Sequence, residues 1–387
     1  MKTQRLFDID SKLQEFCATV LSCEKVGENE YCVVLDKTAF FPNEGGQAAD
    51  GGVIEGNRVV SVEERDGVIY HTLTVPLTVG AEVQGSIDFD ARFRKMQNHT
   101  GEHIISGLIH THYGYNNVGF HLGEDDVTAD FDGELSPDDI KKIEDLANAV
   151  VFACRNVRAY YPSRDELGTL EYRSKLELAD GVRIVEIDGV DKCACCAPHV
   201  ENTGEIGLIK ILDFIRYKGG MRIHMQCGYD ALDDYRARYE QIRAVSMAIS
   251  AKQGEISEGV NRLLDEMGRQ KGVISALRRE IMRYKLATLE HSERSICIFD
   301  DCDDALALRN FVNEAVRKTD RICAVFSGND IDGYKYIIAS EHIKLKGILP
   351  TINERLGGRG GGSDVMIQGS CTATRANIEA LFEGDEW

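Results

Sequence analysis

Residues 91–112 read ARFRKMQNHTGEHIISGLIHTH, and the spacing of side chains in this stretch decides how the chain around it is read. Phe93, Met96, Gln97, Thr100, His103, Ile104 and Leu108 recur at helical steps, so a helix is expected across about 91–112. On such a helix His99 and His103 lie four residues apart on one face, where both imidazoles can reach one ion. A distant segment, Cys195-Cys-Ala-Pro-His199, supplies a thiol and a third imidazole. Together the four side chains form a His₃Cys set suited to tetrahedral Zn2+. Glu102 turns about 100° away from His103 on the helix and reads as a solvated acid rather than a general base.

The thiol register stays open, because Cys193 and Cys196 are alternatives to Cys195 as the ligand. Cys193-Ala-Cys-Cys196 is also a C-x-x-C, but Pro198 and His199 follow it and no βαβ pattern surrounds it. A redox pair is therefore disfavoured.

Working toward the N-terminus, residues 1–90 read as mostly β. Tyr31–Leu35, Val59–Val62, Val68–Thr74 and Glu82–Phe89 alternate or carry β-branched residues between Gly, Asn and Asp punctuation. A small barrel or sandwich is expected. Within it, Thr38-Ala-Phe-Phe-Pro-Asn-Glu-Gly-Gly-Gln47 carries adjacent glycines that permit unusual backbone angles. The segment reads either as a hairpin turn or as a device that presents the Gln47 amide to an ester or a water.

Working toward the C-terminus, Ser136-Pro137-Asp138-Asp139 opens a second helix, with Ser as the N-cap. Residues 182–187 and 206–217 read as strands flanking the cysteine-rich segment. Residues 230–292 are helical, with an apolar stripe at heptad spacing from Leu232 to Tyr284. A break is expected at Gln253-Gly254, with Ser257 as candidate N-cap of the longer second helix. The stripe packs either on its own protein or on a second copy. Residues 293–387 read as an α/β unit: strands near 295–299, 322–326 and 334–339, a helix near 304–317, then a glycine-rich loop at 357–363. The expected class is α+β: a barrel-like domain at 1–90, an α+β zinc-binding domain at 91–229, a helical segment at 230–292 and an α/β domain at 293–387.

Of the 387 residues 43% are hydrophobic and 28% charged, which is enough apolar material for sizeable cores. The first sixteen residues lack the apolar run of a leader, and no stretch approaches the ~20 apolar residues of a membrane span. A cytoplasmic protein with reduced thiols and no membrane contact is expected, although it has twelve cysteines. A net charge of −19 argues against indiscriminate coating of nucleic acid but leaves local basic surfaces open. Arg278, Arg279, Arg283 and Lys285 on the long helix, and Arg359 in the glycine loop, are the candidates for RNA contact.

Phe40-Phe41-Pro42 with Gly45-Gly46-Gln47, then His99 and His103, then Cys195 and His199 resemble, in that order, the AlaX family of alanyl-tRNA editing proteins. They resemble the editing domain of alanyl-tRNA synthetase equally, as does Thr203-Gly-Glu-Ile-Gly207. The 357–363 loop and its flanks resemble the DHHA1 domain of the same synthetases and of long AlaX proteins. The resemblance implies a deacylase acting in trans on the ester of serine, with glycine the other candidate, attached to tRNA(Ala) and bound by its acceptor stem. Zinc would sit on His99, His103, Cys195 and His199. As site residues, Thr38 would meet the serine hydroxyl and Gln47 would lie beside the ester. With no aminoacylation module ahead of these motifs, the chain is not expected to charge tRNA. The sequence departs from the family at Phe41, where a tyrosine is usual, and at Cys196-Ala197-Pro198, where glycines and threonine are usual. Two other readings remain: a non-catalytic, zinc-stabilised RNA-binding or assembly module, and a hydrolase of small esters or amides.

Overall fold

Six strands, β1 (Glu15–Gly27), β2 (Glu30–Leu35), β3 (Gly52–Ile54), β4 (Asn57–Arg65), β5 (Val68–Leu73) and β6 (Glu82–Ile87), close into a barrel in the order β1-β2-β5-β4-β3-β6. Alternation makes the closure possible. Along β5, Ile69, His71 and Leu73 are buried while their neighbours are half-exposed. Phe16, Val33, Phe40, Phe41 and Ile54 fill the same interior. These details come from a computed structural model that describes residues 2–123, 127–174, 181–302 and 304–384. The chain divides into two units, Met1–Ala244 and Val245–Trp387.

Helix α1 (Phe89–Tyr113) follows the barrel. Asp88 caps its start by accepting from Ala91 N–H, and Gly114, at φ 73°, ends it. Most of α1 from Met96 to Ile109 is buried, so this is a central helix rather than a surface one. Around it lie β7 (Asn117–Leu122), β8 (Val127–Phe131), α2 (Pro137–Phe152), β9 (Val157–Tyr160), β10 (Ile184–Ile187), β11 (Asp191–Ala194), β12 (Ile209–Tyr217) and β13 (Gly220–Cys227). They form a four-stranded sheet, β12-β13-β8-β7, and a three-stranded one, β9-β10-β11. The expected Ser136 cap of α2 is present as a full capping box with Asp139.

A buried ion pair fastens the barrel's glycine motif to α1. Arg92 donates from Nε to both Asp50 oxygens at 3.0 and 2.9 Å and from Nη2 to the Ala39 carbonyl at 2.7 Å. Asp50 also accepts from Phe41 N–H at 2.7 Å. The segment from Ala39 to Asp50 is thus pinned to the first turn of the histidine-bearing helix.

Helix α3 (Gly228–Ala248) follows the sheet. The second unit holds α4 (Ile256–Thr288), β14 (Ile296–Asp300), α5 (Ala305–Ala315), β15 (Cys323–Asn329), β16 (Gly333–Ala339), α6 (Leu345–Arg355), β17 (Gly358–Gly362), β18 (Met366–Cys371) and α7 (Arg375–Glu383). Its sheet runs β14-β15-β16-β18-β17. Two expectations are corrected here. Ser257 is the second residue of α4, not its cap, because the short 3₁₀ turn Gln253–Glu255 leads directly into the helix. The glycine-rich run is not a loop: Gly358–Gly362 is an edge strand paired with β18. The apolar stripe is solvent-facing along α4, with Leu263, Met267, Ile274, Leu277 and Ile281 all exposed. No helix among the described residues is long and apolar enough to cross a membrane.

Candidate metal centre and its cavity

The helical spacing of His99 and His103 and the loop after β11 bring four donors together. Ligand atoms of His99, His103, Cys195 and His199 all lie within 4.8 Å of one another. The Cys195 Sγ is 3.5 Å from His99 Nε2 and 3.3 Å from His199 Nε2. A tetrahedral ion at ordinary Zn–S and Zn–N bond lengths sets such S···N edges at about 3.5 Å. The cluster is consistent with a metal site.

The far side of each ring strengthens this reading. His99 Nδ1 donates to Gln47 Oε1 at 3.0 Å. Thr100 gives its own hydroxyl proton to the Met96 carbonyl, 2.7 Å away, so its oxygen is left to accept from His199 Nδ1 at 3.0 Å. His103 Nδ1 faces Asp191 Oδ2 at 3.2 Å, in a contact too poorly aligned to be a linear hydrogen bond. All three rings therefore turn Nδ1 to an oxygen and leave Nε2 for the cluster, the arrangement that orients metal-bound histidines. Arg173 holds Asp191 in turn through Nε and Nη2, at 2.7 Å each. Burial resists ionisation of Asp191, but its contacts with His103 and Arg173 outweigh it and keep the carboxyl below the usual range. Burial, reinforced by the rings of His103 and His99, holds His199 well below the usual imidazole range, so it is neutral and able to ligate. Burial pushes the Cys195 thiol up. A bound cation reverses that preference, since a coordinating thiol is deprotonated.

The adjacent thiols line the same cavity but stand outside the four-donor group. Cys193 groups with His103 and Asp191. Cys196 lies against the glycine turn: a Cβ added at Gly45 would come within 2.9 Å of its Sγ. The turn itself has positive φ at both central residues, 64° at Gly45 and 82° at Gly46, the pattern of a type I′ turn. Gly46 accepts from Leu122 N–H at 3.1 Å, which ties the turn to β7. A cavity of about 480 Å³ opens beside the cluster, lined by His99, His103, Cys195, Glu44, Glu102 and Phe120 among others.

Three further placements concern residues singled out from the sequence. Gln47 is fully buried, with its amide nitrogen lacking a protein partner. Thr38 is fully buried and does not line the cavity. Its hydroxyl bonds His71 Nε2 at 2.9 Å and accepts from Phe40 N–H at 3.1 Å. Glu102 is not a solvated acid, because α1 has no solvent face there. It is 3% exposed and accepts from Ser106 and Asn117. In the second unit, Lys285 is paired with Asp300 and Arg283 lies 3.8 Å from Glu280. Arg278 is half-buried and Arg279 exposed. Arg359 lines a cavity of about 440 Å³ with Lys335, Ser327 and Ser370. Sequence reasoning missed Thr100, Asp191 and Arg173. Thr100 carries only the helical pattern of α1, which says nothing of a bond to His199, and the other two become meaningful only once β11 is docked.

Two family profiles match parts of the chain: tRNA synthetases class II (A) over residues 8–91, and the threonyl and alanyl tRNA synthetase second additional domain over residues 182–230. The alanyl-tRNA editing protein AlaX-L of Pyrococcus horikoshii is 26% identical over 98% of this chain and 96% of its own length. An alanine–tRNA ligase of Ignicoccus hospitalis is 29% identical over 98% of this chain, and one of Halobacterium salinarum is 32% identical over 72%. The chain spans only 42% and 32% of those two ligases.

Proposed function

We propose that this chain, a homologue of the alanyl-tRNA editing protein AlaX-L, is a trans-acting deacylase. It would hydrolyse the ester linking serine to tRNA(Ala), with glycine the other candidate. The observation that carries this reading is the convergence of three Nδ1-anchored imidazoles and one thiol beside a cavity. The donor set suits zinc, and His99, His103, Cys195 and His199 would hold it. When bound, zinc supplies Lewis acidity, a template or a water of lowered pKa. Four protein donors already complete a tetrahedron, which favours the templating role.

The chain's own residues do the rest. Gln47 fixes the ring of His99 through its carbonyl oxygen and has its amide N–H₂ left for an oxygen of the bound ester. Thr38 is the proposed reader of the serine hydroxyl, a role that requires its hydroxyl to leave His71 and turn toward the substrate. A site that bonds this hydroxyl rejects the alanyl ester, which would leave a buried polar group unpaired. The acceptor stem of tRNA(Ala) is the partner, with Arg278, Arg279, Arg283, Lys285 and Arg359 as its contacts and a DHHA1-like domain as their frame. The cytoplasm, where aminoacyl-tRNA is found, is the proposed compartment. Self-association through the exposed stripe of α4 belongs to the same reading, and sedimentation across a concentration series tests it.

The deciding experiment follows Ser-tRNA(Ala) and Ala-tRNA(Ala) with the metal-loaded chain, the chelated chain and His199→Ala. The seryl ester should be lost rapidly to the loaded chain alone while the alanyl ester survives. Persistence of Ser-tRNA(Ala) at full metal occupancy would overturn the assignment. A non-catalytic, metal-stabilised RNA-binding module would then be the better account.

A further inference from the structure

The cavity beside the cluster has one wall whose chemistry is not used by metal binding or by ester hydrolysis. Glu44, the residue before the Gly-Gly-Gln turn, lines it together with Arg5, Tyr161 and Arg183. One carboxylate oxygen of Glu44, Oε2, is buried and accepts no hydrogen bond. Arg5 Nη2, 3.6 Å away, is shared between this oxygen and Glu64, and the Cys196 thiol hydrogen-bonds the Glu44 carboxyl group. Arg5 is shared again with Asp8 at 3.9 Å, and Asp8 also holds Arg183 Nε at 3.3 Å and the Tyr161 hydroxyl at 2.9 Å. Arg183 spends Nη1 on the carbonyls of Cys195 and Ala197, at 3.1 and 2.8 Å. Two buried carboxylate oxygens here, Asp8 Oδ1 and Glu44 Oε2, accept no hydrogen bond, and of these two residues it is Glu44 that lines the cavity. A buried acceptor with no donor is costly to maintain unless a ligand supplies one.

Position selects the ligand. Glu44 is three residues from Gln47, which touches His99, and the Cys196 thiol, next in the chain to Cys195, lies against the same turn. An ester held at the cluster carries its α-amino group two bonds from the carbonyl carbon, within the same cavity. We infer that Glu44 is the receptor for the α-ammonium group of the aminoacyl ester, which makes the site selective for esters with a free amine over N-acylated ones. The inference rests on the deacylase reading. It adds a consequence that the reading lacks: peptidyl and other N-acyl esters of tRNA are excluded, since acylation removes the charge and places a bulky amide against a carboxylate with one oxygen short of a hydrogen bond.

The test measures binding and not turnover, so it stands apart from the activity assay. Two non-hydrolysable probes are used with the full, metal-loaded chain: 3′-deoxy-3′-(L-serylamido)adenosine and its N-acetyl form. Wild-type protein should prefer the free amine. Glu44→Gln should weaken that probe by about 10- to 100-fold, the range for a hydrogen bond to a charged group, and leave the N-acetyl probe unchanged. Glu44→Asp, which keeps the charge, should retain part of the preference. Metal content and melting temperature establish that each variant is folded. Equal affinity of the wild-type chain for the two probes, no measurable binding of either, or equal weakening of both in Glu44→Gln overturns the inference. Survival of Ser-tRNA(Ala) beside a normal amine preference would sink the deacylase reading alone.

Discussion

At the scale of single residues, the metal cluster depends on atoms that never reach the ion. Gln47, Thr100 and Asp191 each take the Nδ1 side of one ring, and Arg173 fixes Asp191. Outer partners of this kind are worth about 10- to 100-fold in metal affinity. Asp191→Asn should therefore lower affinity by that factor without loss of secondary structure, as read by competition with a chromophoric chelator; unchanged affinity would mean that His103 is oriented by packing alone. His71 provides a second prediction. Burial lowers its pKa to about 4 from 6.5, with only the Val33 carbonyl pulling the other way, so it is neutral in the barrel. Nδ1–H then faces Val33 O and Nε2 accepts the Thr38 proton. Because the folded pKa is depressed, the stabilisation is complete above pH 6.5 and is lost as pH falls through about 4, where both states are protonated. The loss is on the order of 3 kcal/mol. Denaturant melts between pH 7 and 4 check it, and His71→Gln should flatten the curve over that window.

At the scale of elements, periodic side chains made some segments legible and glycine hid others. α1 and the Ser136 cap could be read because spacing and capping chemistry are local. β1 was not named as a strand, although it pairs on both sides in the barrel. Its alternation fails after Val20, where the register against β2 shifts twice. The cluster itself was legible from four side chains, whereas the burial of Glu102 was not, because an angle on a helical wheel carries no information about what covers that face. The glycine run misled most. Gly360 and Gly369 face each other across β17 and β18, and a Cβ on either would come within 2.1 or 2.6 Å of Tyr336. Their smallness lets the edge strand cross a buried tyrosine, a requirement of packing that imitates the composition of a loop. Gly369→Ala should accordingly cost the second unit about 1–3 kcal/mol through overpacking. Partial relief by Tyr336→Ala in the double variant would show the ring's share of the obstacle, since the Arg359 carbonyl at 2.4 Å remains, and additive losses would refute it.

At the scale of the whole molecule, the division into two units has a thermodynamic signature. The barrel and the core around α1 both belong to residues before 245, while two separate clusters, one around Phe326 and Tyr336 and one around Phe311 and Val312, belong to the second unit. All four metal-cluster residues lie in the first unit. A ligand that binds only one folded unit stabilises that unit by mass action, about 2.7 kcal/mol at a hundredfold excess over Kd, and gives nothing to a unit that unfolds independently. Calorimetry of the full chain should thus show two transitions, and a chelator should move only one of them downward. Glu44→Gln should leave both in place at saturating metal, since Glu44 is not a ligand; Asp191→Asn should lower the metal-sensitive one alone. The second unit's transition should be blind to metal yet shift with Gly369→Ala, so each transition can be assigned by a substitution that the other ignores. A single transition moving as one with metal would mean that the units share their stability, and the cluster's loss would then be felt as far as the edge strand of glycines.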